Sequence, residues 1–198
     1  MNSTEYNTTR SILQILLFAL AWLIVEYVFV RTLAVAWIPL FIGGFALWWF
    51  TTRRARIDPH TIIVPYLLTV IAFIAHVYDE YKSLLLGFPQ VMEGLPLPFI
   101  PTFELMLTFA ASLGPIAWLL GAVMMLKRWS VGYFVGSTFL FGMMFIEPTH
   151  LIAPFWQRGP FHYVGGLWTA PPLTALGWYT FFAIRREIKK AKELRARP

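Results

Sequence analysis

The feature that most constrains this chain is a succession of apolar stretches, each about as long as a bilayer is thick. A hydrocarbon core about 30 Å thick takes about 20 helical residues to cross. Six segments meet that criterion, at roughly 11–30, 33–51, 61–84, 103–126, 129–147 and 164–184. The predicted fold is therefore an all-α integral membrane protein, about six transmembrane helices in one bundle. Arg31 stands just ahead of the second segment, so segments one and two are expected to form a tight hairpin. Pro39 and the pair Gly43-Gly44 are expected to bend the second.

Composition supports this. Charged residues make up 13% of the chain, against about 25% in a soluble domain. The net charge of +6 does not indicate nucleic acid, because seven of the 16 basic residues fall in Arg185–Arg197, directly after an apolar segment. That placement reads as a juxtamembrane anchor on an anionic leaflet. The chain has no cysteine, which excludes disulfides, thiolate metal sites and cysteine nucleophiles. The run after Arg10 is too long for the h-region of a signal peptide and no small-residue cleavage site follows, so the first helix is expected to be retained.

The basic residues also orient the spans. With the N-terminus cytoplasmic and six spans, Arg10, Arg53, Arg54, Arg56, Lys127, Arg128 and the seven tail residues lie inside, and only Arg31, Lys82 and Arg158 lie outside. Thirteen against three is a strong positive-inside bias. Both termini are placed in the cytoplasm, and the expected location is a multi-pass protein of a bacterial inner membrane. One transmembrane domain is expected over 1–198: an N-terminal two-helix hairpin (1–58), a four-helix core (59–184) and a basic tail (185–198). Gly87–Thr102, with four prolines, and Pro148–Pro160 read as apolar caps on the outer face.

In this topology the ionisable residues gather in one leaflet. Glu26, His76, Asp79, Glu80, Glu104, Glu147, His150 and His162 all fall at outer helix ends or in the loop before the last helix, whereas His60 sits in an inner basic loop. Such groups are costly at membrane depth and usually face a bundle interior or a wet cavity. Glu26 and Glu104, taken alone, read as carboxylates that snorkel to the interface or hydrogen-bond between helices. His76, Asp79 and Glu80 are three and four residues apart and can project from one helix face. Glu147 and His150 have the Glu-x-x-His spacing of carboxylate-bridged metal bundles. Pro148 is expected to hold Glu147 extended, at a helix end or in a loop.

His76-Val-Tyr-Asp79-Glu80, Glu147-Pro-Thr-His150 and Tyr163-Val-Gly-Gly166-Leu-Trp-Thr169-Ala170 together resemble the HXXEE family of bacterial membrane proteins, over roughly residues 68–184. The chain departs from that pattern at Asp79 (in place of Glu), Glu147 (in place of Asn) and Gly165-Gly166 (in place of Pro-Gly). The resemblance implies a helical membrane fold and a site, but no reaction. His76 and Glu80 at H-x-x-x-E spacing also look like the sterol isomerases related to the emopamil-binding protein, which implies proton transfer on a lipid.

Three functions are open at this point. A metal-dependent enzyme would use His76, Glu80, Glu147 and His150 as ligands for iron, zinc or manganese. Asp79 and His162, and Glu80 in a second role, would then support catalysis, on a hydrophobic or lipid-like substrate among Tyr78, Tyr81, Phe155, Trp156, Phe161, Tyr163 and Trp168. A metal-free isomerase or cyclase would use Glu80 or Glu147 as acid and His76 or His150 as base. A non-catalytic subunit would use its tryptophans to contact partner membrane subunits.

Overall fold

The computed structural model describes residues 8–30, 37–53, 57–92, 103–156 and 165–196, with side chains other than those of 29–30, 81, 83–92, 103–112, 153–156 and 194–196. Every regular element among the described residues is helical. In chain order these are α1 (Thr8–Val30), α2 (Trp37–Phe50), α3 (His60–Met92), α4 (Phe103–Leu126), α5 (Ser130–Phe141), a π turn (Gly142–Ile146), α6 (Thr149–Trp156) and α7 (Ala170–Ala196). Thr8–Val28, His60–Glu80 and Ser130–Ile152 are each long and apolar enough to cross a membrane; Trp37–Phe50 and Leu113–Leu126 are shorter apolar helices.

α5 is the hub. Its residues from Gly132 to Leu140 are all buried, and α2 and α4 pack along it, while α3 pairs with α4 and α7. Small residues allow this. A Cβ on Gly44 would lie 2.5 Å from Thr138 Cα, and one on Gly43 would meet the Phe141 ring. The glycine pair therefore lets two backbones approach closely, and α2 runs unbroken through it from Trp37 to Phe50.

The outward surface is apolar. On α1, Leu13, Leu16, Leu17, Leu20, Ile24 and Val28 are exposed, while Ser11, Ile15 and Glu26 are buried on the opposite stripe. Val64, Leu68, Ile71 and Ile74 repeat the pattern along α3. A face this broad exceeds what a water-facing monomer tolerates. Hydroxyls tie the helices internally: Tyr66 donates to the Trp118 carbonyl at 3.0 Å, and the Thr69 and Thr180 hydroxyls meet at 3.1 Å.

Several boundaries differ from expectation. α3 continues to Met92 through the first part of the expected Gly87–Thr102 cap. α7 begins at Ala170, after a turn at 165–169, and extends through the basic tail to Ala196. The tail is rich in helix formers, and Lys190 pairs with Glu187 at 2.7 Å and Lys189 with Glu193 at 3.8 Å. Part of Pro148–Pro160 is the helix α6. Glu26 is buried within the bundle, at 3% exposure, with Trp37 beside its carboxylate.

Candidate metal centre

α3, the π turn with α6, and the turn before α7 meet at one end of the bundle, and each supplies part of a polar cluster. From α3, His76 is buried and Glu80 stands one turn further on. The π turn controls the next pair. The Glu147 N–H donates to the Gly142 carbonyl, five residues back, at 3.0 Å, which inserts one residue into the helical register. Glu147 has φ −57° and ψ −35°, so the extended conformation expected from Pro148 is not adopted. The wide turn makes room for the proline ring, and Pro148 begins the new helix, with Leu151 N–H donating to its carbonyl at 3.0 Å. Glu147 and His150 are thus both presented to His76.

Four atoms converge. His76 Nε2 lies 2.7 Å from Glu147 Oε2 and 3.6 Å from Glu80 Oε1; His150 Nε2 lies 3.2 Å from Glu80 Oε1 and 3.6 Å from Glu147 Oε2. The imidazole rings meet edge to face, with centroids 4.9 Å apart. His76 Nε2 and Glu147 Oε2 lie within hydrogen-bond distance of one another, a contact that a proton on Nε2 or a cation shared by the two atoms would each satisfy.

The far sides of both rings fix their tautomers. His150 Nδ1 lies 2.9 Å from the Gly165 carbonyl, which can only accept, so Nδ1 carries the proton. His76 Nδ1 lies 2.8 Å from Thr169 Oγ1. The single Thr169 hydroxyl proton is directed to Asp79 Oδ2 at 3.1 Å or to the Gly166 carbonyl at 3.3 Å, both acceptors. Thr169 Oγ1 therefore accepts from His76 Nδ1–H. With Nδ1 of each ring engaged on its far side, each Nε2 faces inward, toward two carboxylates. Two carboxylates set close together in a bundle call for positive charge, which a bound cation or an imidazolium would supply.

The turn before α7 completes the arrangement. The Gly166 N–H donates to Asp79 Oδ2 at 3.2 Å. Gly166 has φ +86°, and a Cβ there would lie 2.5 Å from His76 Cε1 and 3.0 Å from His150 Nδ1. Only glycine fits, both for backbone conformation and because the two rings leave no room.

The residue types and spacing fit a divalent transition metal. His76, Glu147 and His150 each offer a ligand atom, all within 4.8 Å of one another. Ligands about 2.0–2.2 Å from one ion lie about 3–3.5 Å apart, and the contacts above bracket that range. Imidazole and carboxylate together suit iron, zinc or manganese. The Nδ1–H bonds to Gly165 and, through Thr169, to Asp79 are the outer contacts that orient histidine ligands in metal sites.

The structure therefore brings together His76, Glu80, Glu147 and His150, and puts Asp79 behind His76 rather than inside the cluster. His162, Phe161 and Tyr163 lie outside the described residues, as do the side chains of Tyr81, Glu104, Phe155 and Trp156. Tyr78 and Trp168 are exposed. Sequence reasoning gave no role to Thr169 or Gly165. Thr169 is 93 residues from His76, beyond any local spacing rule, and only its place in the Gly166-x-x-Thr169-Ala170 motif drew attention to it. No family model, curated protein or solved structure matches this chain.

Proposed function

We propose that this chain is a multi-pass membrane enzyme whose His/Glu centre holds a divalent transition metal and acts on a hydrophobic, lipid-like substrate. The observation that carries this reading is the convergence of His76 Nε2, His150 Nε2, Glu147 Oε2 and Glu80 Oε1, with Nδ1 of the two rings held from behind by Thr169 and Gly165. A bound metal would supply Lewis acidity, open to hydrolytic or oxidative chemistry according to its identity. The protein's part is to hold both imidazoles neutral and to keep the centre among apolar helices.

The membrane topology belongs to the same proposal. Six spans with both termini in the cytoplasm follow from the thirteen-to-three distribution of basic residues. The metal centre then faces the outer leaflet, and its more open side, with Glu80 and His150 at 27% and 21% exposure, is where a substrate enters. The second reading is a metal-free acid–base site, in which a proton on His76 Nε2 is held by Glu147 at 2.7 Å.

Elemental analysis of the detergent-purified protein tests the metal. About one equivalent of iron, zinc or manganese is expected, lost in a folded His76→Ala/His150→Ala variant. A wild-type protein that contains no metal and takes none up on reconstitution would overturn the reading.

A further inference from the structure

The two glutamates of the centre are not equivalent. Glu147 belongs to the mutually close set with His76 and His150, and it is the more buried carboxylate, at 11% side-chain exposure. Glu80 falls outside that set, although its Oε1 lies 3.2 Å from His150 Nε2 and 3.6 Å from His76 Nε2. It also stands on the open side, at 27%. Their supports differ as well. Glu147 is fixed by the π turn, its own N–H bonded to Gly142 and its carbonyl accepting from His150 N–H at 3.1 Å. Glu80 sits one helical turn beyond His76 on a continuous α3.

We infer that the carboxylates divide the work: His76, Glu147 and His150 hold the ion, and Glu80 stands beside the position left open, where it accepts a proton from a ligand seated there. A two-histidine, one-carboxylate set leaves coordination positions free for substrate or solvent. A carboxylate within hydrogen-bond reach of such a position is placed as a general base. In the transfer, the ligand's O–H bond breaks, the proton moves to a Glu80 oxygen, and the ligand oxygen keeps the electron pair. No redox partner is needed. This inference rests on the metal centre proposed above and assigns Glu80 a role distinct from that of Glu147.

Cobalt(II) serves as the probe, because its visible absorption reports both occupancy and the entry of further ligands. Wild type, Glu80→Gln, Glu80→Asp and Glu147→Gln, each first shown folded by size-exclusion chromatography and circular dichroism, are titrated with cobalt(II). They are then titrated with acetohydroxamate, which has an acidic proton to give, and with azide, which has none. Glu80→Gln is expected to keep the cobalt stoichiometry, weaken acetohydroxamate about tenfold or more, and leave azide unchanged or tighter, since a repelling charge is gone. Glu80→Asp keeps an acceptor and so keeps the wild-type order of the two probes. Glu147→Gln is expected to lose about a hundredfold or more in cobalt affinity.

Loss of cobalt from Glu80→Gln to the extent seen in Glu147→Gln would make Glu80 a ligand and overturn the division. Equal shifts of both probes, or none, would reduce Glu80 to a structural role and overturn it too. A wild-type protein that binds no cobalt would instead remove the metal centre itself, and this inference with it.

Discussion

The two ends of the bundle carry the same kinds of residue in opposite arrangements. At one end, His76, Glu147, Glu80 and His150 are enclosed by three chain segments and their charges face inward. At the other, Asp58 and Arg128 approach to 3.7 Å with about half of each side chain exposed, and the Arg53 guanidinium lies over the Trp49 ring at 3.6 Å. Water screens and solvates the second set, so its pairing contributes little. It reaches the first set poorly, so each acceptor there needs a definite partner. Clustering of acidic residues does not by itself make a site; enclosure together with inward-facing imidazoles does.

The largest predicted effect is at Gly166, where the comparison can be broken outright. Gly166→Ala puts a Cβ 2.5 Å from His76 Cε1 in a backbone with φ +86°. Strain of this kind costs about 1–3 kcal/mol, before either ring moves. We expect a lower unfolding temperature and loss of bound metal together. A variant with full metal content and wild-type stability would show that the turn does not press on the histidines.

Next is Thr169→Val, which keeps the shape and removes the hydroxyl between His76 Nδ1 and Asp79. Outer contacts of this kind carry about 10–100-fold in metal affinity. We expect a loss of that size on competitive chelator titration, with Thr169→Ser close to wild type. If Val and Ser behave alike, the tautomer of His76 is set by something other than this hydroxyl.

Much of this centre was legible in the sequence because membranes make polar residues conspicuous. His76, Glu80, Glu147 and His150 stood out once the apolar spans were drawn, and the structure brings those four together. Their local geometry was harder to read. The bias of a residue before proline is a statement about an ordinary helix, and it failed at Glu147 because a π turn opens the backbone there. Asp79 shares a helix face with His76 by spacing, yet it bonds to Thr169 and Gly166 behind the ring. Only the long-range packing of α7 on α3 decides that. Glu26 is buried within the bundle, and the Trp37 beside its carboxylate comes from a different helix.

Between the two ends, the Thr69–Thr180 contact provides an intermediate case: buried and polar, but uncharged. Thr180→Val leaves Thr69 still donating to the Pro65 carbonyl at 2.8 Å, so no donor is stranded. We expect a loss of about 0.6 kcal/mol, the usual worth of such bonds between membrane helices, with metal content unchanged. A loss above about 2 kcal/mol, or any metal lost, would mean that α3 and α7 are coupled to the centre through this contact.

The smallest effect should come from the exposed end, where two opposing changes can be separated. Arg128 closes α4 with φ 58°, its N–H on the Met125 carbonyl at 2.7 Å and Trp129 N–H on the Met124 carbonyl at 2.9 Å. That is the position where a helix ends most easily on glycine. A residue with a Cβ pays about 1–2 kcal/mol in this conformation, whereas an exposed ion pair returns about 0.2–1 kcal/mol. Glycine also loses about 0.5–1 kcal/mol more backbone entropy on folding, so Arg128→Gly should leave stability nearly unchanged, within about 0.5 kcal/mol. Asp58→Asn isolates the other half: Asn keeps an oxygen for the His60 N–H, now 3.3 Å from Asp58 Oδ1, and removes only the charge. Its effect should stay within about 0.5 kcal/mol. Thermal unfolding in detergent at low and high salt measures both. If Asp58→Asn lowers metal affinity on the same chelator titration as much as Thr169→Val, exposure is not what separates the two ends, and the reason for assigning chemistry to one of them is gone.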